Sequence, residues 1–86
     1  MSEISRFFGI IIIMYYKEHN PPHFHIQYNE YNAVFDMKQE AIIEGFLPKK
    51  QLRLILAWFE IHKTELFENW NNGLNKKEFI KIEPLK

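Results

Sequence analysis

The longest apolar run of the chain lies near its start, in residues 6–16. It reads Arg-Phe-Phe-Gly-Ile-Ile-Ile-Ile-Met-Tyr-Tyr, with almost no polar alternation, and most of its side chains are β-branched or aromatic. This composition is typical of a strand that is covered on both faces. Asn20-Pro21-Pro22 then interrupts the pattern, because proline lacks the N–H group that a sheet requires. We therefore predict a central strand followed by a stiff connection.

Two segments with period-two alternation follow, residues 23–28 and residues 31–37. Asn29-Glu30 between them suits a two-residue turn, so the segments predict a hairpin whose register the turn fixes. One side of this hairpin is apolar and the other carries hydrogen-bonding groups. The apolar side pairs Tyr28 with Tyr31, Ile26 with Ala33 and Phe24 with Phe35, and the polar side pairs Gln27 with Asn32, His25 with Val34 and His23 with Asp36.

A helical pattern begins at Pro48, which suits the first turn of a helix, and predicts an amphipathic helix over residues 48–71. An unbroken helix of this length would measure about 36 Å, against about 30 Å for a globule of this size. We therefore expect the helix either to break near His62-Lys63-Thr64 or to project toward a partner. The apolar residues that recur at three-to-four spacing are Leu52, Ile55, Leu56, Phe59, Leu66 and Trp70.

Two shorter segments complete the set of elements. Residues 40–44 predict a fourth strand that ends at Gly45, and residues 79–82, before Pro84, predict a short final strand. The order in the chain is then β-β-β-β-α-β. The predicted fold class is α+β, with a mainly antiparallel sheet of four to five strands packed on one amphipathic helix.

Composition narrows the class of protein. The 86 residues suffice for a single domain, residues 1–86, and a hydrophobic share of 47% excludes a disordered chain. Eleven basic and eleven acidic side chains cancel, so no overall field favours nucleic acid or membranes. The absence of cysteine excludes disulfides, thiolate metal sites and cysteine nucleophiles. The chain lacks a signal-peptide pattern and any apolar run near the roughly 20 residues of a membrane span, which predicts a cytoplasmic protein.

A cluster of histidines offers the first candidate chemistry. His19, His23 and His25 lie within seven positions, and His23 and His25 share one face of the predicted hairpin. Three imidazoles can hold zinc with an open position for water, and Asp36 opposite His23 can supply a fourth ligand or orient that ring. Without a metal, His23, His25 and Asp36 can act as catalytic acid–base groups on a phosphodiester. The plain alternative is that these histidines are solvated or hydrogen-bonded and need no cofactor.

Basic and aromatic side chains offer a second candidate. Lys49, Lys50 and Arg53 surround the start of the predicted helix, whose free N–H groups attract anions, so they can bind phosphate or nucleic acid. Tyr15 and Tyr16 can stack on bases. The alternatives are a solvated first helical turn, and tyrosines that belong to the core and its rim.

Apolar surface offers a third candidate, a protein–protein interface. One helix covers only one face of a sheet, whereas the first strand is apolar on both faces. A second apolar line of the helix, through Leu54, Trp58 and Ile61, extends beyond what one sheet face can cover. We therefore expect self-association into a dimer, or a small partner protein, to cover the remainder.

Four motifs of the chain resemble a known family. They are Glu3-Ile4-Ser5-Arg6-Phe7-Phe8-Gly9-Ile10, Met14-Tyr15-Tyr16, Pro21-Pro22-His23-Phe24-His25 and Leu47-Pro48. Together they are similar to the small prokaryotic family known as domain of unknown function 4160, over nearly the whole chain. The resemblance implies a stand-alone bacterial protein, often encoded beside another small domain in an arrangement like that of toxin–antitoxin pairs. It implies no activity, cofactor or catalytic residue.

The sequence therefore leaves three functions open. We rank a non-enzymatic module that dimerises or binds a partner first, because of the apolar surface. A His-dependent ribonuclease-like or metal-assisted hydrolase comes second, and a nucleic-acid-binding regulator third.

Overall fold

Five strands and one helix make up the chain in the computed structural model, which describes residues 1–86. Strands that follow one another in sequence are neighbours in one sheet, and all pairs are antiparallel. The predicted α+β class, an antiparallel sheet with one amphipathic helix, is confirmed. The elements are β1 (Ser2–Phe7), β2 (Ile10–Met14), β3 (His23–Tyr28), β4 (Tyr31–Asp36), β5 (Ala41–Gly45) and α1 (Lys49–Leu74).

The long apolar run is two strands rather than the single strand predicted over residues 6–16. Phe7 pairs with Ile10, and Phe8 and Gly9 form the turn between them with φ of 49° and 79°. A two-residue hairpin turn with positive φ at both positions matches the twist of the strands, and Gly9 adopts it without steric penalty. The sheet therefore gains its additional strand, β1, at the start of the chain.

The central hairpin agrees with its predicted register at all six pairs, from Tyr28 opposite Tyr31 to His23 opposite Asp36. Phe24, Ile26 and Phe35 are buried under the helix. The opposite side of the sheet, which we call the outer face, carries His25 and its polar neighbours. The register is determined by the alternation of apolar and polar residues, because a slip of one residue would place every side chain on the wrong face.

The helix begins one residue after Pro48 and bends at His62, whose φ of −112° and ψ of 17° are not helical. Of the two alternatives predicted for this helix, a break near His62-Lys63-Thr64 or a projecting end, the structure has the break. The bend keeps the helix within a molecule of 33 × 25 × 21 Å. Beyond it, Lys63 Nζ donates to Glu40 Oε2 at 3.2 Å, and this hydrogen bond raises the pKa of Lys63. Glu40 lies between β4 and β5, so the pair joins the helix to that end of the sheet.

The last residues do not form the strand predicted over residues 79–82. Ile82 makes one backbone hydrogen bond to the sheet, from its N–H to the Ile4 carbonyl at 3.0 Å. Helix side chains bind the rest of this tail. Asn69 exchanges two hydrogen bonds of 2.7 and 2.8 Å with the backbone of Ile80, and Trp58 Nε1 donates to the Glu83 carbonyl at 2.8 Å.

The tail and the bent helix remove the main reason for expecting a partner. Trp58 is 0% exposed, and within Ile10–Met14 every residue except Ile11 is buried. Trp58 is therefore a core residue, not the interface residue that the second apolar line indicated. Leu54 is partly buried against the core, and Ile61 alone of that line is well exposed, at 65%.

No helix of the chain combines the length and the apolar character that crossing a bilayer requires.

Candidate metal centre

The connection between β2 and β3, residues 15–22, returns across the end of the sheet and carries the chemistry of this site. Its two ends are fixed by backbone hydrogen bonds. Lys17 N–H donates to the Gly73 carbonyl at 3.4 Å, and Met37 N–H donates to the Pro22 carbonyl at 2.9 Å. Because both ends are attached, the connection holds Glu18 over the start of β3.

Three side chains meet there, Glu18 from the connection and His23 and His25 from β3. His25 Nε2 lies 2.5 Å from Glu18 Oε1, and His23 Nε2 lies 3.2 Å from the same oxygen. One ligand atom from each residue falls within 4.8 Å of the other two. We call this group the Glu18 cluster. Two imidazoles and a carboxylate are the donor types that zinc prefers.

The other nitrogen of His23 fixes the state of its ring. Nδ1 lies 2.7 Å from the Pro21 carbonyl oxygen. A carbonyl only accepts, so Nδ1 carries a proton, and in the neutral ring Nε2 then presents its lone pair to the carboxylate of Glu18. Two electron-rich atoms face each other unless a proton or a cation lies between them. A ring nitrogen donating to a backbone carbonyl is also the usual support of a metal-ligating histidine.

The cluster is accessible from solvent. Glu18, His23 and His25 all line one depression of the surface, and a second depression on the outer face shares His25, Val34 and Glu44 with it. The two depressions therefore adjoin each other, and we refer to them together as the cleft. Its further polar lining comes from Tyr15, His19, Gln27 and Asn32. An ion at the cluster would keep a side open to water and to a substrate.

Aromatic rings hold the two histidines in place. The Tyr15 ring stands edge-on to His25 at 4.6 Å, and Trp70 of the helix lies 5.1 Å from His23. The two imidazoles are themselves 5.2 Å apart. The prediction that His23 and His25 lie side by side is therefore confirmed. Tyr15 packs on this site, whereas Tyr16 stacks on Phe79 at 4.6 Å.

Two residues of the predicted sites have other positions or partners. His19 is exposed and lies on the rim of the cleft, and the third ligand atom comes from its neighbour Glu18. Asp36 lies opposite His23 as predicted, but its Oδ1 accepts from the backbone N–H groups of Lys38 and Gln39 at 2.7 and 3.0 Å. Asp36 thus stabilises a turn, and the Pro21 carbonyl orients His23 instead.

The basic residues of the helix start lie at the other end of the sheet. Lys49, Lys50 and Arg53 are exposed there, close to the turns after β1 and β3 and far along the strands from the cluster. They cannot supply the phosphate-holding cation that a ribonuclease mechanism at His23 and His25 would use. The basic residues of the helix start and the two histidines therefore do not form one combined site.

The fold and the site together define a class: a small α+β protein with a five-stranded antiparallel sheet, one bent helix and a Glu-His-His cluster at the sheet's end. Within that class the chain belongs to the family described as domain of unknown function 4160, whose profile matches residues 9–71. The matched segment contains Glu18, His23 and His25. No curated protein and no solved structure matches the chain.

Proposed function

We propose that this protein is a cytoplasmic, metal-assisted hydrolase whose Glu18, His23 and His25 bind one zinc ion. The observation that supports this proposal is the convergence of their three ligand atoms within 4.8 Å in an open cleft. Two histidines, one glutamate and an open fourth position make up the donor set of many catalytic zinc sites. Structural zinc sites instead close all four positions with protein ligands.

The three ligand atoms lie within 4.8 Å of one another and have to adjust their separations to hold an ion. Ligand atoms bound to zinc at about 2.0–2.1 Å in a tetrahedron lie about 3.3 Å from one another. The His23–Glu18 distance of 3.2 Å already agrees with this value. The His25–Glu18 distance of 2.5 Å has to increase by about 0.8 Å. The side chain of Glu18 is 28% exposed, so it has room to move.

Held by Glu18, His23 and His25, zinc would lower the pKa of a bound water to near neutrality and polarise a carbonyl or phosphoryl oxygen of a substrate. His19 and Glu44 also line this cleft and carry ionisable groups that can take up or release a proton there. Tyr15, Gln27 and Asn32 offer hydrogen bonds to a substrate along the outer face.

Calorimetric titration of the chelator-treated chain with zinc tests this function. We expect saturable binding of one zinc per chain, with no binding of Mg²⁺ at the same concentrations, because imidazole ligands suit zinc and not magnesium. The zinc-loaded chain should also hydrolyse bis(4-nitrophenyl) phosphate or 4-nitrophenyl acetate faster than the metal-free chain. Absence of saturable zinc binding would contradict the proposal.

We propose self-association as a second function, on a different basis from the one that the sequence indicated. The two edges of the sheet differ. The β1 edge receives a hydrogen bond from Ile82 of the tail, whereas β5 has a neighbour on one side only and Ile43 in it is 43% exposed. An open antiparallel edge is self-complementary, so two β5 strands can pair across a twofold axis. A small partner protein, as in a toxin–antitoxin-like pair, is the other occupant of this edge.

Light scattering at tens of micromolar measures this association. We expect a dimer for the native chain and a monomer for Ile43→Lys, since a charge on an edge strand opposes pairing. Ile61→Lys is the matched control, because Ile61 is an exposed isoleucine on the helix. If Ile61→Lys dissociates the dimer and Ile43→Lys does not, the helix surface is the interface and β5 is not. A monomeric native chain would exclude self-association.

A further inference from the structure

Four aromatic rings gather at the end of the sheet that lies away from the Glu18 cluster. Phe8 comes from the β1–β2 turn, Tyr28 and Tyr31 flank the β3–β4 turn, and Phe46 follows β5. Tyr28 and Tyr31 are nearly parallel, with ring centres 6.4 Å apart, and Phe46 is 5.5 Å from Tyr31. We call this group the aromatic end. Phe8 and Phe46 are 62% and 61% exposed, so burial does not explain their presence.

The backbone of Phe8 is strained. Its φ of 49° is in the left-handed region, which asparagine and glycine adopt far more readily than a bulky aromatic residue. The turn thus holds a large apolar side chain in an unfavourable conformation and mostly in water. Strain of this kind concentrates at functional sites, where it positions a side chain for use.

A polar side chain without a protein partner lines the same place. Phe8, Tyr28, Lys50, Gln51 and Leu54 line one pocket of the surface. Gln51 is only 8% exposed, yet none of the protein's side-chain hydrogen bonds involves it. An amide offers donors and an acceptor together, and those of Gln51 reach solvent rather than a protein partner. The pocket therefore presents a free hydrogen-bonding edge beside two aromatic rings.

The charge next to the pocket is positive. Lys49, Lys50 and Arg53 are exposed, the first helical turn contains no acidic residue, and no side chain caps its N–H groups. A helix start of this kind attracts anions. Flat apolar rings, an amide edge and clustered cations occur together where proteins bind unpaired bases and their phosphates.

We propose that the aromatic end binds single-stranded nucleic acid. One base enters the pocket between Phe8 and Tyr28 and pairs its edge with the Gln51 amide, while Lys49, Lys50 and Arg53 contact the phosphates. A glutamine amide matches the donor and acceptor of adenine, so adenine is the expected base. This site is independent of the proposed zinc centre, which lies at the other end of the strands.

Fluorescence anisotropy with a short labelled oligoadenylate tests the proposal. We expect binding at low salt that weakens as salt increases, because phosphate contacts release counterions. Phe8→Asn should weaken binding about tenfold, since it removes a stacking ring. Asparagine tolerates positive φ, so this variant should melt no lower than the native chain. Gln51→Leu should abolish the preference for oligoadenylate over oligouridylate while weak binding remains.

The charge contribution has a matched control within the chain. Replacing Lys49 and Lys50 by glutamate should abolish binding, whereas the same change at Lys76 and Lys77 should leave it unchanged. Lys76 and Lys77 are also exposed neighbours, but they follow the end of the helix. No binding at low salt, unchanged binding by Phe8→Asn, or equal losses from the two lysine pairs would each overturn the proposal. Reduced zinc affinity of Phe8→Asn would contradict the independence of the two sites.

Discussion

Replacing His25 by alanine lowers the affinity of the chain for zinc by about 100-fold or more, because even groups that only support a metal ligand contribute about 10–100-fold. His25 supplies the shortest contact of the Glu18 cluster, 2.5 Å to Glu18 Oε1. Its side chain is 28% exposed, so the variant should keep the fold and show a loss of binding rather than of structure. Calorimetric titration with zinc, together with a melting curve of each variant, measures both quantities.

His19→Ala is the matched control for this result. His19 has the same ligand chemistry and lines the same cleft, but it is exposed and contributes no atom to the cluster. Its replacement should change zinc affinity by less than about threefold, which is below 1 kcal/mol. Equal losses for the two variants would assign zinc to the three histidines that the sequence indicated. A loss for His19→Ala alone would contradict the role of the Glu18 cluster.

Replacing Gly45 by alanine destabilises the protein by about 3–4 kcal/mol, a large part of the stability of a domain of this size. Gly45 has a φ of 77°, and a Cβ there would lie 2.0 Å from the backbone oxygen of Asn32. That oxygen also accepts the N–H of Phe46, so the β4–β5 pairing has to shift. The melting temperature should fall by at least about 12 °C, measured by circular dichroism.

Gly9→Ala separates the two causes of this loss. Gly9 has almost the same φ, 79°, but a Cβ there would lie 3.5 Å from the Tyr28 ring, an ordinary contact. The variant should therefore lose only the conformational term, about 1–2 kcal/mol. Equal destabilisation of the two variants would mean that backbone conformation alone explains the effect of Gly45→Ala. The contact between the added Cβ and Asn32 would then be relieved without cost.

Local patterns predicted those parts of the fold that depend on local rules. Strict alternation predicted the pairing from His23 opposite Asp36 to Tyr28 opposite Tyr31. Helix length against domain size predicted either a break near residues 62–64 or a projecting end, and the structure has the break, at His62. The turn at Phe8 was missed because the residues around it are uniformly apolar. Gly9 was the available signal, since a glycine inside an apolar run favours a turn or a bulge.

Periodicity could not predict which segment of the chain covers the core. Residues 75–86 adopt no regular structure, and single contacts attach them, such as Trp58 Nε1 to the Glu83 carbonyl and Ile82 N–H to the Ile4 carbonyl. Contacts of this kind leave no repeating pattern in a sequence. Trp58 was therefore assigned to an exposed interface, whereas the tail covers it.

Only part of the candidate site could be predicted, because some of its residues lie on a strand and others in irregular segments. His23 and His25 lie on a strand, so their shared position follows from the period of two. Glu18 lies in an irregular connection, and its approach to His25 depends on how that connection is attached at Lys17 and Pro22. Asp36 was assigned to His23 from the register, but the nearer backbone N–H groups of the turn occupy its carboxylate.

Anomalous X-ray diffraction at the zinc edge from crystals of the zinc-loaded chain tests the central claim most directly. We predict one zinc per chain, bound by His23 Nε2, His25 Nε2 and a Glu18 carboxylate oxygen at about 2.0–2.2 Å, with its remaining position open to the cleft. Zinc bound instead at His19, or between His62 Nδ1 and Glu65 Oε1 of the helix, which lie 2.6 Å apart, would contradict the account, as would crystals with no bound zinc.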